Sequence, residues 1–518
     1  MPTMRKNGMR NDLMDKEVLC ILDTRQIQRY IFRTNAYLDA LGGSDMLTHI
    51  LDDAIFCALN TIDPPLSEEE YDISTDPDAR EIQFFTSEKV QFQLISSIAG
   101  NALFLCRSGA LCQKIIRKTS RYYLEHGYSL NLAAAITEKT NNLQNDTSAL
   151  YEQLDRVKAS GEIADPSGAL PVAIREKETG APAVARDSET GEYLSTAALL
   201  KRAEAKKRPV LISMQDMKPM KTANGKDYLA VIHADGNNVG ITIAKLLAEA
   251  KSYEESIRLR RRISRDLNLT FNQAVGRSIE QLKAAYLTRH GEHADFDHAF
   301  QLSHQAGDDI NCICSADLAI PFLNLLYENL KGKFLWKTES QTIPIYIGAG
   351  IAFVPPQMTF HDAFCLAEDC CESAKTVAKK ESNLRNGLAG NWMDFQVVCD
   401  DNAFDLETQR EHAFVTKENI NLLLRPYSFD PEAKDEIYAF DALLERAVAV
   451  KNLALNESQK KILSQSYVMG RMEFRQWVQT IESSGTDLSG ILGNPLYKDD
   501  QKQLHAVWFD ATELSTFV

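Results

Sequence analysis

The sequence has 518 residues and a formal net charge of −15, with 44% hydrophobic and 25% charged residues. This length predicts two to four packed units, and the composition is that of an ordinary globular protein. No window approaches the ~18 apolar residues that span a bilayer, and no apolar run follows the basic N-terminal residues. We therefore expect a cytoplasmic protein without a membrane partner.

The acidic balance also limits the partners. A protein that binds a long nucleic acid unaided usually has a basic face, so an RNA activator is conceivable but is not supported by the charge. Local basic clusters at 206–208 and 258–262 are interpreted as solvated helix faces. The ten cysteines include no Cys-x-x-Cys pair and are interpreted as reduced thiols that serve as small hydrophobic residues.

The first predicted domain spans residues 17–158. It begins with VLCILDTRQIQRYIF, an apolar strand that ends at Asp23 and passes into a helix. The segment AGNALFLCRSGAL (99–111) predicts a tight turn, a strand and a helix, and a strand at 130–137 precedes a helix at 142–158. This order is typical of a ferredoxin-like, or palm, domain in which helices cover one face of the sheet.

Residues 159–226 are rich in Gly, Pro and charge, and they contain one evident helix at Ser195–Lys207. This composition predicts a linker or a small insert.

The second predicted domain, residues 227–400, repeats the order of the first. A strand in YLAVIHADGNNVGITIAKLL ends at Asp235 and leads into a helix, and a strand at 345–352 precedes a helix at 360–380. The segment AGDDINCICSADL (306–318) matches the first hairpin without a gap. The sequence therefore predicts an α+β fold with two ferredoxin-like domains in tandem, and chance similarity of two generic α+β units is the alternative.

Residues 401–518 are predicted to form a C-terminal helical bundle. The predicted helices are Lys417–Leu424, Pro431–Lys451, Glu457–Met469 and Met472–Ser483.

Acidic residues distinguish the second copy from the first. At a constant offset of 207, Asn101 and Ala102 align with Asp308 and Asp309, and Asp235 ends what would be the adjacent strand, roughly 5 Å away. Three carboxylates this close repel one another unless cations neutralise them. Two divalent ions would do so and would serve in-line phosphoryl displacement. We therefore predict that these aspartates are catalytic and bind two Mg²⁺ or Mn²⁺ ions, which prefer oxygen ligands.

The turns beside these carboxylates are suited to a nucleotide. Gly236 is predicted to lie at the metal site, where its bare backbone lets phosphates approach, and the helix that follows offers unpaired N–H groups. Lys375 and Lys379, one helical turn apart, would neutralise phosphate charge. The alternative, that both lysines are ordinary solvent-exposed residues, is equally open. The predicted nucleotide-binding residues are Gly236, Asn237, Asn238, Gly240, Gly307, Lys375 and Lys379.

At these residues the sequence resembles the large polymerase-cyclase subunit of type III CRISPR effector complexes, a distant relative of GGDEF diguanylate cyclases. That family carries two palm domains, and the second bears a Gly-Gly-Asp-Asp hairpin, here AGDD at 306–309. Its first metal ligand lies in an Asp-Gly-Asp-like turn, here Asp235-Gly236-Asn237. The first palm is similar as well, in ILDTRQIQRYIF and LGGSDML, and this likeness implies that Ser44 contacts a nucleotide. The resemblance implies that ATP is joined into cyclic oligoadenylates that act as antiviral second messengers.

Three departures from the family pattern stand out. Only ~16 residues precede the first palm, so no His-Asp nuclease domain is expected there. The inter-palm cysteines that often hold zinc are absent, and Ala306 replaces the first glycine of the hairpin. We therefore expect a trimmed signalling enzyme. Its partners would be further copies of the same chain, in a homo-oligomer, or CRISPR-type subunits.

Three functions remain open at this stage. The first is a nucleotidyltransferase that condenses NTPs, with ATP favoured by resemblance, into cyclic oligonucleotides. The second is a nucleotide-binding scaffold subunit of a CRISPR-type complex, which the three clustered carboxylates argue against. The third is an oligonucleotide polymerase that does not cyclise its product, and the lack of an extended basic groove for a template argues against it.

Overall fold

The structure of the protein is a computed structural model. The structure describes residues 13–98, 100–160, 172–188, 190–208, 210, 212–222, 225–337, 342–384, 389–398, 406–430, 436–453, 455–488, 496–500 and 503–518. The chain forms two compact units. Unit 1 comprises Met1–Leu211 and Gly240–Leu269, and unit 2 comprises Ile212–Val239 and Thr270–Val518. No helix in the described ranges is long and apolar enough to cross a membrane.

The described strands are β1 (Val18–Arg25), β2 (Tyr71–Asp72), β3 (Phe92–Ile98), β4 (Asn101–Cys106), β5 (Asn131–Glu138), β6 (Ala183–Arg186), β7 (Tyr193–Ser195), β8 (Met220–Lys221), β9 (Asp227–Gly236), β10 (Phe300–Ala306), β11 (Asp309–Ser315), β12 (Phe334–Lys337), β13 (Thr342–Pro344), β14 (Ile347–Val354), β15 (Trp392–Val397), β16 (Ile420–Asn421), β17 (Tyr427–Ser428), β18 (Tyr497–Asp500) and β19 (Gln503–Ala506).

The described α-helices are α1 (Ile27–Ile31), α2 (Tyr37–Thr61), α3 (Gln83–Thr86), α4 (Gly109–His126), α5 (Leu143–Ala159), α6 (Thr196–Ala205), α7 (Val239–Ala248), α8 (Tyr253–His290), α9 (Ala316–Leu330), α10 (Phe360–Leu384), α11 (Leu406–Ala413), α12 (Phe440–Lys451), α13 (Glu457–Met469), α14 (Arg471–Ser483) and α15 (Phe509–Leu514).

The sheet of unit 1 has the strand order β2-β3-β4-β1-β5, with β1 antiparallel to both of its neighbours. Val18, Cys20 and Leu22 pack with α2 and α4, whereas Leu19 and Ile21 pack with α5 and the start of α8. Helices therefore cover both faces of this sheet, and the expectation of a single covered face is wrong. The physical reason is that β1 is apolar on both faces, so both must be buried.

The arginines at the start of α8 belong to this packing. The Arg261 side chain is buried and donates hydrogen bonds to the carbonyl oxygens of Leu94 and Ile95. Arg258 likewise donates to the carbonyl oxygens of Ala79 and Arg80. The interpretation of this cluster as a solvated face is therefore wrong, because these guanidinium groups satisfy backbone carbonyls of unit 1.

The sheet of unit 2 has the order β10-β11-β9-β14-β15-β17, and β8 also pairs with β9. The small residues of β14 let α10 pack closely. A Cβ atom on Gly350 would lie 2.0 Å from the carbonyl oxygen of Ala367 on α10. This close contact places α10 over the central strands β9 and β14, where the predicted site residues lie.

The two hairpins correspond, but at an offset of 208 and not 207. Leu94 and Ser96 stand opposite Phe104 and Leu103 in unit 1, with a bulge between the two pairs. In unit 2, Leu302 and His304 stand opposite Cys312 and Asn311, again across a bulge. The structural equivalent of Asp309 is therefore Asn101, and the alignment of Ala102 with Asp309 is wrong by one residue.

The C-terminal segment contains more than helices. Helices α13 and α14 agree with the predicted helices to within one residue. Helix α12 falls within the predicted helix Pro431–Lys451, whose residues 431–435 lie outside the described residues. The segment 417–424, predicted as a helix, instead contains β16, which pairs parallel with β19. Strands β16, β19 and β18 form a three-stranded sheet, so the prediction of a purely helical bundle needs this correction.

Candidate functional site

The three predicted catalytic carboxylates lie at the ends of adjacent strands in unit 2. Asp235 is near the end of β9, and Asp309 begins β11 after the turn that contains Asp308. Ala234 stands opposite Ile310 across the β9–β11 pair, so the next step of the antiparallel ladder brings Asp235 beside Asp309. The strand register therefore accounts for the convergence that the sequence predicts.

Gly236 explains how Asp308 completes the group. A Cβ atom at this glycine would lie 2.4 Å from Asp308 Oδ2 and 3.2 Å from Asp308 Cβ. The Gly236 N–H also donates a hydrogen bond of 2.8 Å to Asp235 Oδ1. A side chain at this position would force the carboxyl of Asp308 to move, because that carboxyl occupies the space next to Gly236.

Asp308 and Asp309 both have raised pKa values, chiefly because they are buried. Burial raises the pKa of Asp308 to about 6, and the neighbouring charges of Asp235 and Asp309 add to this effect. Asp309 keeps 41% of its side-chain surface accessible, yet desolvation by the surrounding protein still raises its pKa, although the charge of His233 opposes the rise. Such crowding is what a bound cation would relieve.

Lys375 comes to the site from α10. Its Nζ lies 2.6 Å from Asp235 Oδ2. A Cβ atom on Gly348 would lie 2.5 Å from Lys375 Cγ, so this glycine makes room for the lysine stem. Burial would lower the pKa of Lys375, but the attraction of Asp235 outweighs it and the pKa is raised. Lys379, one turn later, is exposed, and its side chain takes part in none of the hydrogen bonds or ion pairs between described residues.

Asn237 follows Gly236 and is anchored by two hydrogen bonds. Its N–H donates to the carbonyl oxygen of Tyr346, and its Nδ2 donates to that of Gly390. Its Oδ1 is buried and has no hydrogen-bond partner among the described residues. A buried acceptor without a donor is uncommon in proteins, so this oxygen is suited to a donor from outside the chain.

The other predicted nucleotide-binding residues take varied positions. Asn238, with φ of 60°, and Gly307, with φ of 65°, both adopt left-handed turn conformations beside the carboxylates. Gly240 is an exposed residue in the first turn of α7. Ser44 belongs to unit 1, where it is buried within α2.

Sequence reasoning missed two residues of this site, His233 and Asn311. His233 Nδ1 lies 2.7 Å from Asn311 Oδ1, and Asn311 Nδ2 donates to Asp309 Oδ1 at 2.9 Å. The signal that points to them is the alternation of strand residues. His233 and Asp235 share one face of β9, as Asp309 and Asn311 share one face of β11.

No three His, Cys, Asp or Glu side chains of the described ranges already stand in metal-binding geometry. The residues nevertheless fit a divalent cation. The donor atoms are carboxylate oxygens, which Mg²⁺ and Mn²⁺ prefer, and Gly236 leaves space for the Asp308 carboxyl. Burial and the neighbouring charge of Asp235 raise the pKa of Asp308, and a bound cation would oppose this rise.

Comparison with protein-family models and known proteins identifies what this arrangement is similar to. The model described as Cas10/Cmr2, second palm domain, matches residues 228–388. This range contains Asp235, Asp308, Asp309 and Lys375. No curated protein sequence matches the chain.

Solved structures extend the likeness beyond this domain. A chain of the Csm1-Csm4 cassette in complex with cA3 superposes with a TM-score of 0.53 at 12% identity, covering 97% of this chain and 70% of that one. For the cassette in complex with cA4 the TM-score is 0.48 at 13% identity, with the same coverage of both chains. The family-model match and the superposition at a TM-score of 0.53 confirm the resemblance to the large subunit of type III CRISPR complexes, and the chain has a palm-domain fold like that of Cas10.

Proposed function

We propose that this chain is a nucleotidyltransferase that condenses nucleoside triphosphates, ATP in particular, into cyclic oligonucleotides. One observation carries the proposal. Three carboxylates converge at the ends of β9 and β11, and burial and mutual repulsion raise the pKa of Asp308 to about 6. A charge cluster of this kind is costly unless it serves to hold cations.

Each residue of the site would have a separate role in binding the cations or the nucleotide. Asp235, Asp308 and Asp309 would hold two Mg²⁺ or Mn²⁺ ions, which when bound acidify an attacking 3′-hydroxyl and neutralise the triphosphate. Lys375 would leave Asp235 and turn its ammonium to the phosphate oxygens, since its flexible stem lies over Gly348. Asn237 Oδ1 would accept a hydrogen bond from the nucleotide. Positioning of the two reacting groups would supply most of the rate.

The comparisons support the identity of the product and the partners. The cassettes that superpose on this chain hold cA3 or cA4 and pair Csm1 with Csm4. We infer that this chain makes cyclic oligoadenylates for antiviral signalling, either with a CRISPR-type subunit or as a homo-oligomer. Four strands correspond in order between the two sheets, β3-β4-β1-β5 and β10-β11-β9-β14, and both hairpins carry a bulge. This correspondence supports the further proposal that the chain contains two ferredoxin-like palms related by duplication.

The test is to incubate the purified protein with each NTP and with Mg²⁺ or Mn²⁺, and to identify the products by mass spectrometry. We expect ATP to give cyclic products that lack free triphosphate ends. A ladder of linear products would indicate a polymerase that does not cyclise. No turnover of any triphosphate, with or without RNA, would favour a binding scaffold and contradict the proposal.

The matched control for this experiment is a second pair of adjacent acidic residues. The double variant D308A/D309A should abolish turnover and leave the fold intact, because the site is at a turn. The variant E68A/E69A changes two exposed neighbours in unit 1 and should keep wild-type turnover. Turnover retained in D308A/D309A would refute the assignment of the site.

A further inference from the structure

A buried polar pair lies one step back from the carboxylates along the central strands. His233 on β9 and Asn311 on β11 stand directly opposite each other in the ladder. Their exposed fractions are 7% and 5%. Both are on strands whose remaining central residues are apolar, so their hydrogen bonds are formed with each other and with the site.

The direction of these hydrogen bonds follows from the charge of Asp309. The carboxylate can only accept, so the Asn311 amide must present its Nδ2 to Asp309 Oδ1, at 2.9 Å. This leaves Asn311 Oδ1 facing His233 Nδ1, at 2.7 Å, and the histidine must therefore donate from Nδ1. His233 Nδ1 itself lies 3.6 Å from Asp309 Oδ1. The orientation of one buried residue thus determines that of the next.

The histidine ring is held from the other side by α10. Phe364 packs edge to face against it, with ring centroids 5.6 Å apart and an interplanar angle of 74°. Packing of this kind restricts the ring to one plane. The ring, the amide and the carboxylate therefore form a chain of fixed geometry that ends on one oxygen of Asp309.

We propose that His233 and Asn311 are positioning residues that hold the Asp309 carboxylate in the orientation that binds a divalent cation, an inference that rests on the proposed function. Both contacts engage Oδ1, which fixes the rotation of the carboxylate about its Cβ–Cγ bond. Hydrogen bonds from outer residues to a ligating carboxylate typically change metal affinity 10- to 100-fold.

The test measures Mn²⁺ binding to the whole 518-residue chain by electron paramagnetic resonance, in the absence of nucleotide. N311L and H233F should raise the Mn²⁺ concentration for half-saturation about 10-fold or more. H233Q, whose amide can still donate to Asn311, should stay within about 3-fold of wild type. N329L is the matched control, because Asn329 on α9 makes its hydrogen bonds to Ser278, Gln281 and Leu325.

A double-variant comparison separates positioning from general weakening. If the pair acts as one unit, H233F/N311L should bind Mn²⁺ no more weakly than N311L alone. If N311L fails to fold, the contrast between H233F and H233Q decides the question. Wild-type Mn²⁺ affinity in N311L or in H233F would overturn the inference.

The outcomes also separate this inference from the proposed function. If N311L binds Mn²⁺ normally while the wild-type protein condenses NTPs, the positioning role fails and the function stands. If N311L weakens Mn²⁺ binding but no NTP is condensed, the positioning role stands and the function fails. Wild-type protein that binds no Mn²⁺ would contradict both.

Discussion

Gly236 contacts two of the three acidic side chains of the site, Asp235 and Asp308. Its missing side chain leaves the space that the Asp308 carboxyl fills, and its N–H holds Asp235 Oδ1. A methyl group placed 2.4 Å from Asp308 Oδ2 must displace that carboxyl. The glycine therefore sets the distance between two of the three acidic side chains.

This gives a direct prediction for Gly236→Ala. We expect NTP condensation to fall about 100-fold or more, because small misplacements of reacting groups cost this much, while the far-ultraviolet circular dichroism stays unchanged. Gly276→Ala is the matched control, since an added Cβ there meets no atom within 4 Å. Wild-type turnover in Gly236→Ala would show that the carboxyl of Asp308 is not required where the structure places it.

The pKa of Asp308 predicts how stability depends on pH when divalent ions are chelated. A carboxyl whose pKa is raised to about 6 binds its proton more tightly in the folded state. Its stabilising contribution is therefore present below its unfolded pKa and is lost as pH rises through about 6. We expect Asp308→Asn to exceed the wild type in free energy of unfolding by about 2 kcal/mol at pH 7.5, and by much less at pH 4.

Denaturant unfolding in chelator at both pH values measures this difference. Asp297→Asn, at an exposed position, is the control and should match the wild type throughout. A wild-type protein that is more stable than Asp308→Asn at pH 7.5 would contradict the pKa assignment.

Sequence reasoning located the acidic residues but not the polar pair beneath them. The aspartates follow strand ends and a turn glycine, and such positions can be found from sequence pattern alone. His233 and Asn311 lie within apolar strands, and their role depends on which residues stand opposite across β9 and β11. The one-residue error in the hairpin alignment has a similar cause. Gly100 and Gly307 both adopt positive φ, but they occupy different positions of the two turns.

At the scale of secondary-structure elements, glycines allow helices to pack closely. Gly350 lets α10 approach β14, and Gly42 lets α6 approach α2 in unit 1. A Cβ atom on Gly42 would lie 1.8 Å from the carbonyl oxygen of Lys201. Lys201 is buried on α6 and donates a hydrogen bond to the carbonyl oxygen of Tyr30, which lies in the last turn of α1. Helix α6 therefore also contacts the C-terminal end of α1.

Gly42→Ala should therefore detach α6 without unfolding the sheet of unit 1. We expect amide hydrogen exchange of residues 196–205 to accelerate at least 10-fold, while β1 keeps its protection. Gly240→Ala is the control, because its added Cβ meets no atom within 4 Å. Unchanged exchange in α6 would mean that this helix contributes little to the stability of unit 1.

The element predictions failed where a short apolar run was ambiguous. Residues 417–424 include an apolar stretch that reads equally well as a helix or a strand at that length. The structure resolves the ambiguity through β19, which lies more than 80 residues later in the chain and pairs with β16. Long amphipathic segments such as α13 and α14 have no such ambiguity, and their ends were predicted to within one residue.

At the scale of the whole molecule, unit 2 joins its sheet to the C-terminal residues through a buried ion network. Arg425 is fully buried and pairs with Asp510 at 3.0 Å and with Glu513. Asp510 also accepts hydrogen bonds from the backbone N–H groups of Leu424 and Arg425. Arg410 pairs with Asp394 on β15 at 2.7 Å.

The division of the chain into four domains stays a prediction.

Arg425→Met should reduce the free energy of unfolding by about 3 to 5 kcal/mol, because it leaves buried carboxylates without their partner. Denaturant unfolding with tryptophan fluorescence measures this change, since Trp508 is buried next to α15. Arg475→Met, at an exposed position on α14, should change stability by less than about 0.5 kcal/mol. Equal effects of the two substitutions would contradict the role of the network.

The central claim is that the three aspartates share a pair of divalent cations, and anomalous diffraction tests it most directly. Crystals of the full chain would be soaked with Mn²⁺ and a non-hydrolysable ATP analogue. The account predicts two Mn²⁺ peaks about 3.5 to 4 Å apart, bound by oxygens of Asp235, Asp308 and Asp309, with Lys375 released from Asp235. Peaks only elsewhere, with Lys375 still paired to Asp235, would contradict it.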